Sequence, residues 1–259
     1  DVYKRQDEVA CNYNNLAELD DGSCLYIDIC GECGGTGPAQ YYECDGTCTY
    51  DSDGDDVCNE LEILGCTAIT SINYNPDATE DDGTCEYTVI QSVTLNSFML
   101  NSVSFNVTPD DLSIESNLEN VPVLLMSDDN GGFYAPSFGV NQLGDLSLEG
   151  YRCFISGASD YTVSVEGMPV EQTTPLLLEA FKLNLLPYLP QMEMSSDDVF
   201  GDYYDNILLI SNDMGQFNVP SFGVYQITTM SPGESYKVFL SGASDVDFSY
   251  PGAGFSRYT

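Results

Sequence analysis

From about residue 89 onward the chain alternates apolar and polar positions with the two-residue period of half-buried strands. Tyr151, Cys153 and Ile155 fall on one face of such a strand, and Tyr236, Val238 and Leu240 repeat the pattern. Arg152 and Lys237 hold equivalent places on the opposite face, where solvent is expected. Asp128-Asp-Asn-Gly131 and Asn212-Asp-Met-Gly215 are rich in turn formers. They predict connections between strands at 122–127 and 132–136, and between strands at 206–211 and 216–219. Ser156-Gly-Ala-Ser-Asp160 and Ser241-Gly-Ala-Ser-Asp245 join 151–155 to 161–165 and 236–240 to 246–249 in the same way. A capped short helix is expected within 110–118, with its counterpart in 196–204. The pattern therefore predicts a mainly β protein with two tandem β-sandwich or barrel-like modules, 91–170 and 171–252, each with at most one short helix.

The two modules are copies. Segments 123–160 and 207–245 agree at over half of their aligned positions, and Gly233 is the one extra residue in the second. The sharpest identity is Pro136-Ser-Phe-Gly-Val140 against Pro220-Ser-Phe-Gly-Val224. Phe138 and Phe222 are candidate aromatic platforms for a ligand, although an aromatic beside Pro and Gly more often plugs a core, and burial is the expectation. Cys153 stands where the sister copy has Val238, so it reads as a small buried hydrophobe rather than a reactive thiol.

The front of the chain, 7–90, has a different character. All cysteines but Cys153 lie there, a density that points to disulfides and an oxidising compartment. Ala10-Cys-Asn-Tyr-Asn-Asn-Leu-Ala-Glu-Leu-Asp-Asp-Gly-Ser-Cys24 and Ser71-Ile-Asn-Tyr-Asn-Pro-Asp-Ala-Thr-Glu-Asp-Asp-Gly-Thr-Cys85 form a second repeat pair. Cys66 and Cys85 bracket one copy and are the expected bridge; the counterpart of Cys66 in the first copy falls at Arg5, so the partner of Cys24 is expected to have been cut off. Cys44–Cys48 is expected as a local bridge, and pairing among Cys11, Cys30, Cys33 and Cys58 is open. The spacing of Cys30, Cys33, Cys44 and Cys48 also suits a four-thiolate zinc site, but acidic neighbours and the lack of a nearby cation favour disulfides.

Asp51-Ser-Asp53-Gly-Asp55-Asp-Val57-Cys-Asn59-Glu-Leu-Glu62 lays out oxygen ligands as in a twelve-residue calcium loop. Asp51, Asp53, Asp55, Asn59 and Glu62 supply side chains, and Val57 supplies a backbone carbonyl. The departure is Asp56, where the sharp turn normally takes glycine; it must enter the left-handed region at some cost. Asn75, Asp77, Thr79 and Asp81 make a second oxygen cluster, which reads as a turn.

The loop resembles the single calcium loops of thrombospondin type 3 and dockerin repeats, which implies bound calcium. The paired Asn-Tyr-Asn and Asp-Asp-Gly-Ser/Thr-Cys units resemble short repeats of large secreted proteins from marine Bacteroidetes. The β-modules resemble a repeated domain near the ends of such proteins, through Phe98-Met-Leu-Asn-Ser-Val-Ser-Phe-Asn106 and Ala180-Phe-Lys-Leu-Asn184. That resemblance implies an accessory domain and carries over no catalytic residues; the tryptophan usual in its opening is missing here. Residues 1–6 resemble a translated sequencing adapter and are set aside, and 253–259 read as a truncated tail.

Forty-two acidic residues against 6 basic ones give a net charge of −36, which disfavours nucleic acid and anionic membranes and suits cations. No apolar run reaches the roughly 20 residues needed to span a bilayer. The absence of histidine excludes Ser–His and Cys–His catalysis within this chain. The expectation is a non-enzymatic spacer or adhesion fragment, extracellular or on the outer cell surface, with calcium and surface glycans or proteins as partners. The alternative is a carbohydrate-binding appendage of a secreted hydrolase.

Overall fold

A computed structural model describes residues 7–16 and 22–252, so the adapter-like start, Arg5 and the tail lie outside the described residues. The chain divides into two units, Asp1–Glu86 and Tyr87–Thr259.

The first unit has almost no apolar interior. Ala10, Cys58 and Cys66 are its buried hydrophobic residues among those described. Strands β1 (Leu64–Gly65) and β2 (Glu80–Asp81) pair in parallel. Four disulfides take over the role of a core: Cys11–Cys33, Cys30–Cys44, Cys48–Cys58 and Cys66–Cys85. Two hairpins in series hold three of them. In the first, Gly34 N–H donates to Tyr26 O at 2.8 Å and Asp28 N–H to Glu32 O at 3.0 Å. In the second, Thr49 N–H donates to Tyr41 O and Glu43 N–H to Thr47 O, both at 2.8 Å. Asp28 fastens the first hairpin by accepting from the N–H groups of Cys30, Glu32 and Gly37. The bonds from Glu32 and Gly37 are the main reason its carboxyl titrates below the ordinary range.

In the second unit the first module comprises β3 (Val89–Leu95), β4 (Leu100–Ser104), β5 (Val107–Thr108), β6 (Val123–Ser127), β7 (Phe133–Ala135), β8 (Val140–Asn141), β9 (Gly150–Ile155) and β10 (Tyr161–Pro169), with helix α1 (Ile114–Asn117). One antiparallel sheet runs β4-β9-β6-β7-β8 and another β3-β10-β5. Alternate residues of both sheets, among them Val93, Val163, Met126, Tyr151, Cys153 and Ile155, meet in one core. The second module repeats the larger sheet as β12-β18-β14-β15-β16. Its strands are β11 (Leu176–Leu178), β12 (Leu183–Pro187), β13 (Met194–Ser195), β14 (Ile207–Ser211), β15 (Phe217–Val219), β16 (Val224–Tyr225), β17 (Thr229–Met230), β18 (Ser235–Leu240) and β19 (Val246–Phe248), with helix α2 (Ser196–Phe200). A second core gathers Tyr188, Phe200, Tyr236, Val238, Phe248 and Tyr250. Each helix starts at a capping serine, Ser113 or Ser195, whose hydroxyl accepts an N–H of the first turn.

The modules meet along a seam with approximate two-fold symmetry. The hairpin-turn carboxylate of each binds the edge strand, β4 or β12, of the other's five-stranded sheet. Asp129 accepts the Leu185 N–H at 2.8 Å, and its counterpart Asp213 accepts both the N–H and, at 2.8 Å, the hydroxyl of Ser102. Residue i meeting j while j meets i is the signature of a self-complementary interface. Lys237 ion-pairs with Asp213 and so supports the seam, in place of the solvent-side role expected of it. Gly150 lies so close to Leu185 that a Cβ there would stand 2.6 Å from the Leu185 carbonyl oxygen. The single inserted residue, Gly233, offers its carbonyl to the Ser104 N–H at 3.1 Å.

Candidate functional site

The acidic loop gathers part of its expected ligand set. Carboxylate oxygens of Asp51, Asp53 and Asp55 lie within 4.8 Å of one another. Asp51 shapes the loop by accepting from Gly54 N–H at 2.6 Å and from Asp56 N–H at 3.2 Å. Asp55 accepts from Val57 N–H at 2.8 Å. Asp56 has φ +72°, the left-handed conformation its position demands and one that aspartate tolerates better than most residues. The Cys48–Cys58 disulfide ties the region together.

Two expected ligands are engaged elsewhere. Asn59 closes the loop through its side chain, accepting the Ser52 N–H at 2.8 Å and donating to Ser52 Oγ at 2.7 Å. Glu62 accepts the Thr79 hydroxyl. The three gathered carboxylates are hard oxygen donors of the type calcium takes, whereas a bidentate glutamate is not among them. In the second oxygen cluster, Asn75 accepts the Asp77 N–H and Asp81 the Gly83 N–H, as turn residues do.

The cysteine pairing corrects one expectation. Cys44 and Cys48 are not bridged to each other, because the hairpin sets Cys48 opposite Tyr42 and sends the two sulfurs to different partners, Cys30 and Cys58. With Cys30, Cys33, Cys44 and Cys48 all spent on disulfides, a four-thiolate zinc site is ruled out there. Cys24 belongs to none of the four bridges. Cys153 is 2 % exposed, and burial pushes its thiol up to about 12, as befits a core residue.

The repeated phenylalanines overturn the burial expectation. Phe138 and Phe222 are 79 % and 81 % exposed. Each closes a single 3-10 turn, Pro136–Phe138 or Pro220–Phe222, which the left-handed Gly139 or Gly223 terminates with φ +65°. The core is sealed one step earlier, by Tyr134 and Ala135 in one copy and Asn218 in the other, and the turn carries its phenylalanine outward.

A second exposed pair escaped sequence reasoning. Phe98 and Phe181 are 73 % and 77 % exposed, and both hold φ near +60°, a rare and costly conformation for a bulky residue. Buried asparagines brace both loops. Asn101 accepts the Asn96 N–H at 2.7 Å and donates to the carbonyls of Asn96, Met99 and Cys153. Asn184 makes the same set with Glu179, Lys182 and Val238. The last residue of the Ser-Gly-Ala-Ser-Asp repeat adds an anchor: Asp160 accepts the Ser97 N–H and Asp245 the Ala180 N–H. The shared Phe-x-Leu-Asn spacing of 98–101 and 181–184 was the available signal.

Strand polarity places these aromatics at the same end of the sheet, Phe98 before the edge strand β4 and Phe138 after β7. Leu100, Phe154 and Leu125 form one row at the end of the five-stranded sheet where β4 begins and β7 ends. The loop of Phe98 and the turn of Phe138 are therefore at the same end, and the second module repeats the arrangement. Comparison with protein-family models, curated proteins and solved structures yields no match.

Proposed function

We propose that this chain is a non-catalytic adhesion unit of an extracellular or cell-surface protein. Its front is braced by disulfides and binds calcium through Asp51, Asp53 and Asp55. Its paired β-modules present aromatic side chains to a surface ligand, a glycan or another surface protein.

The observation carrying this reading is the duplicated display: four phenylalanines, two per module, more than two-thirds exposed at one end of each sheet. Exposed aromatics cost solubility, and clusters of them mark interaction surfaces. The four disulfides suit an oxidising compartment, and among the described residues no helix is long and apolar enough to cross a membrane. The same exposure supports the carbohydrate-binding reading over a bare spacer, since a spacer needs no such display.

The test is retention of the oxidised chain on surfaces coated with polysaccharide or with protein, with and without millimolar calcium. Retention that falls on changing both Phe98 and Phe138 to alanine supports the reading. A chain that passes every surface at the rate of an inert protein refutes it.

A further inference from the structure

We propose that the larger cavity along the module seam binds a neutral saccharide unit, with Phe98 at its mouth; this names the ligand class of the adhesion reading and rests on it. The cavity measures about 430 Å³, within the roughly 300–1,000 Å³ span of small-molecule sites. Its wall is shared: Asn101 and Ser102 come from the first module, and Asp213, Glu234 and Ser235 from the second. Phe98 stands in the loop between the lining residues Asn96 and Met99.

Three observations point to a ligand of this kind. Ser235 is 1 % exposed, yet its hydroxyl has no hydrogen-bond partner. Such an orphaned group costs free energy, and because its oxygen is itself sealed from solvent, a ligand hydroxyl relieves it only with a small shift of the cavity wall. Phe98 is exposed with φ +60° in a loop that Asn101 and Asp160 brace at the N–H groups of Asn96 and Ser97, which holds its ring out beside the cavity-lining residues Asn96 and Met99.

The polar lining is hydroxyl, amide and carboxylate, and the adjoining Lys237 is already paired with Asp213, which selects against phosphate, sulfate and uronate. A sugar ring meets both demands, with hydroxyls for the wall and an apolar C–H face for the phenyl ring. The symmetry-related cavity of about 310 Å³ differs where it matters. Lys182 takes the place of Met99 and is ion-paired to Asp129 and Glu179 across the opening, so that copy serves as an internal control.

The experiment uses the whole oxidised chain and soluble gluco-, galacto-, manno- and xylo-oligosaccharides, read by saturation-transfer NMR and then calorimetry. At least one series is expected to bind, and Phe98→Asn and Ser235→Ala each to weaken it tenfold or more. Met192→Ala, at an exposed residue that lines neither seam cavity, should leave it unchanged. Asparagine accepts the left-handed conformation, so Phe98→Asn should not lower Tm, whereas a merely structural Phe98 would. Binding lost in Phe138→Ala but kept in Phe98→Asn and Ser235→Ala overturns this site while the adhesion reading stands. No saccharide binding alongside retention on protein-coated surfaces does the same. No binding to any surface or sugar defeats both.

Discussion

Replacing Gly150 with alanine tests the seam at its tightest point. The added Cβ would lie 2.6 Å from the Leu185 carbonyl oxygen and 2.8 Å from Leu185 C and Cβ. The nearest atoms are backbone, so no side chain can swing aside and the two sheets must separate locally. That movement also stretches the adjacent bond from Leu185 N–H to Asp129. Overpacking of this kind costs about 1–3 kcal/mol, which for a unit of this size lowers Tm by about 2–12 °C. Gly242→Ala is the control, since the nearest atom to a Cβ there is Ser244 N at 4.0 Å. It should stay within about 0.5 kcal/mol of the parent. Differential scanning calorimetry of the oxidised chain reads both. The seam should also couple the two cores, so a transition shared by the modules in the parent should broaden or split in Gly150→Ala. Equal melting of Gly150→Ala and Gly242→Ala would refute the close approach, and with it the seam.

Three further outcomes follow. Calcium at 10 mM should stabilise the first unit by about 1.4–2.7 kcal/mol if the loop has the roughly 0.1–1 mM affinity of extracellular sites; Asp51→Ala or Asp53→Ala should abolish the Tm rise, and a rise that survives both removes the loop as its origin. Glu149 titrates above the ordinary range because burial, and then Asp128 and Asp129, disfavour its charge. The folded chain therefore takes up this proton more readily than the unfolded one, and stability grows as pH falls through the folded pKa, levelling below the unfolded value of about 4.3. Glu149→Gln should raise Tm at pH 7, with an advantage that shrinks towards pH 4; a constant offset across that range argues against the linkage. Cys153→Val should change stability by less than about 1.5 kcal/mol, as Val238 fills the equivalent place, and a larger loss on thermal melting would mean the two core sites are not equivalent.

The strands were legible because alternation reports directly on burial. Tyr151, Cys153 and Ile155 are buried while Arg152 and Phe154 are half-exposed, and β18 repeats the pattern. The turns at 128–131 and 212–215 were legible too, since their residues are chosen for local conformation. What those turns do next was not. Asp129 and Asp213 look like any turn aspartate, and nothing local marks them as ligands of a strand more than fifty residues away. The acidic loop was half legible: ligand spacing identified three carboxylates that do converge, but Glu62 is taken by Thr79, a tertiary contact that spacing does not encode. Cysteine pairing failed at Cys44 for the same reason, because proximity in sequence says little once a hairpin turns two sulfurs apart. Phe138 and Phe222 misled because a phenylalanine reads as core unless its backbone turn is known.

The one-residue difference between the copies falls on the seam. Gly233 supplies an acceptor for the Ser104 N–H, while the position matching Ser104 in the second module is Pro187, which has no N–H to offer. The insertion and the proline answer one another, so the halves fit as a lock of two unlike leaves rather than as interchangeable twins. The contact therefore favours pairing a first module with a second one over pairing like with like. Pairing first module with first module forfeits the glycine carbonyl, and pairing second with second meets a proline. Sequence divergence here disfavours the like-with-like pairings that are one route of misassembly open to tandem duplicates.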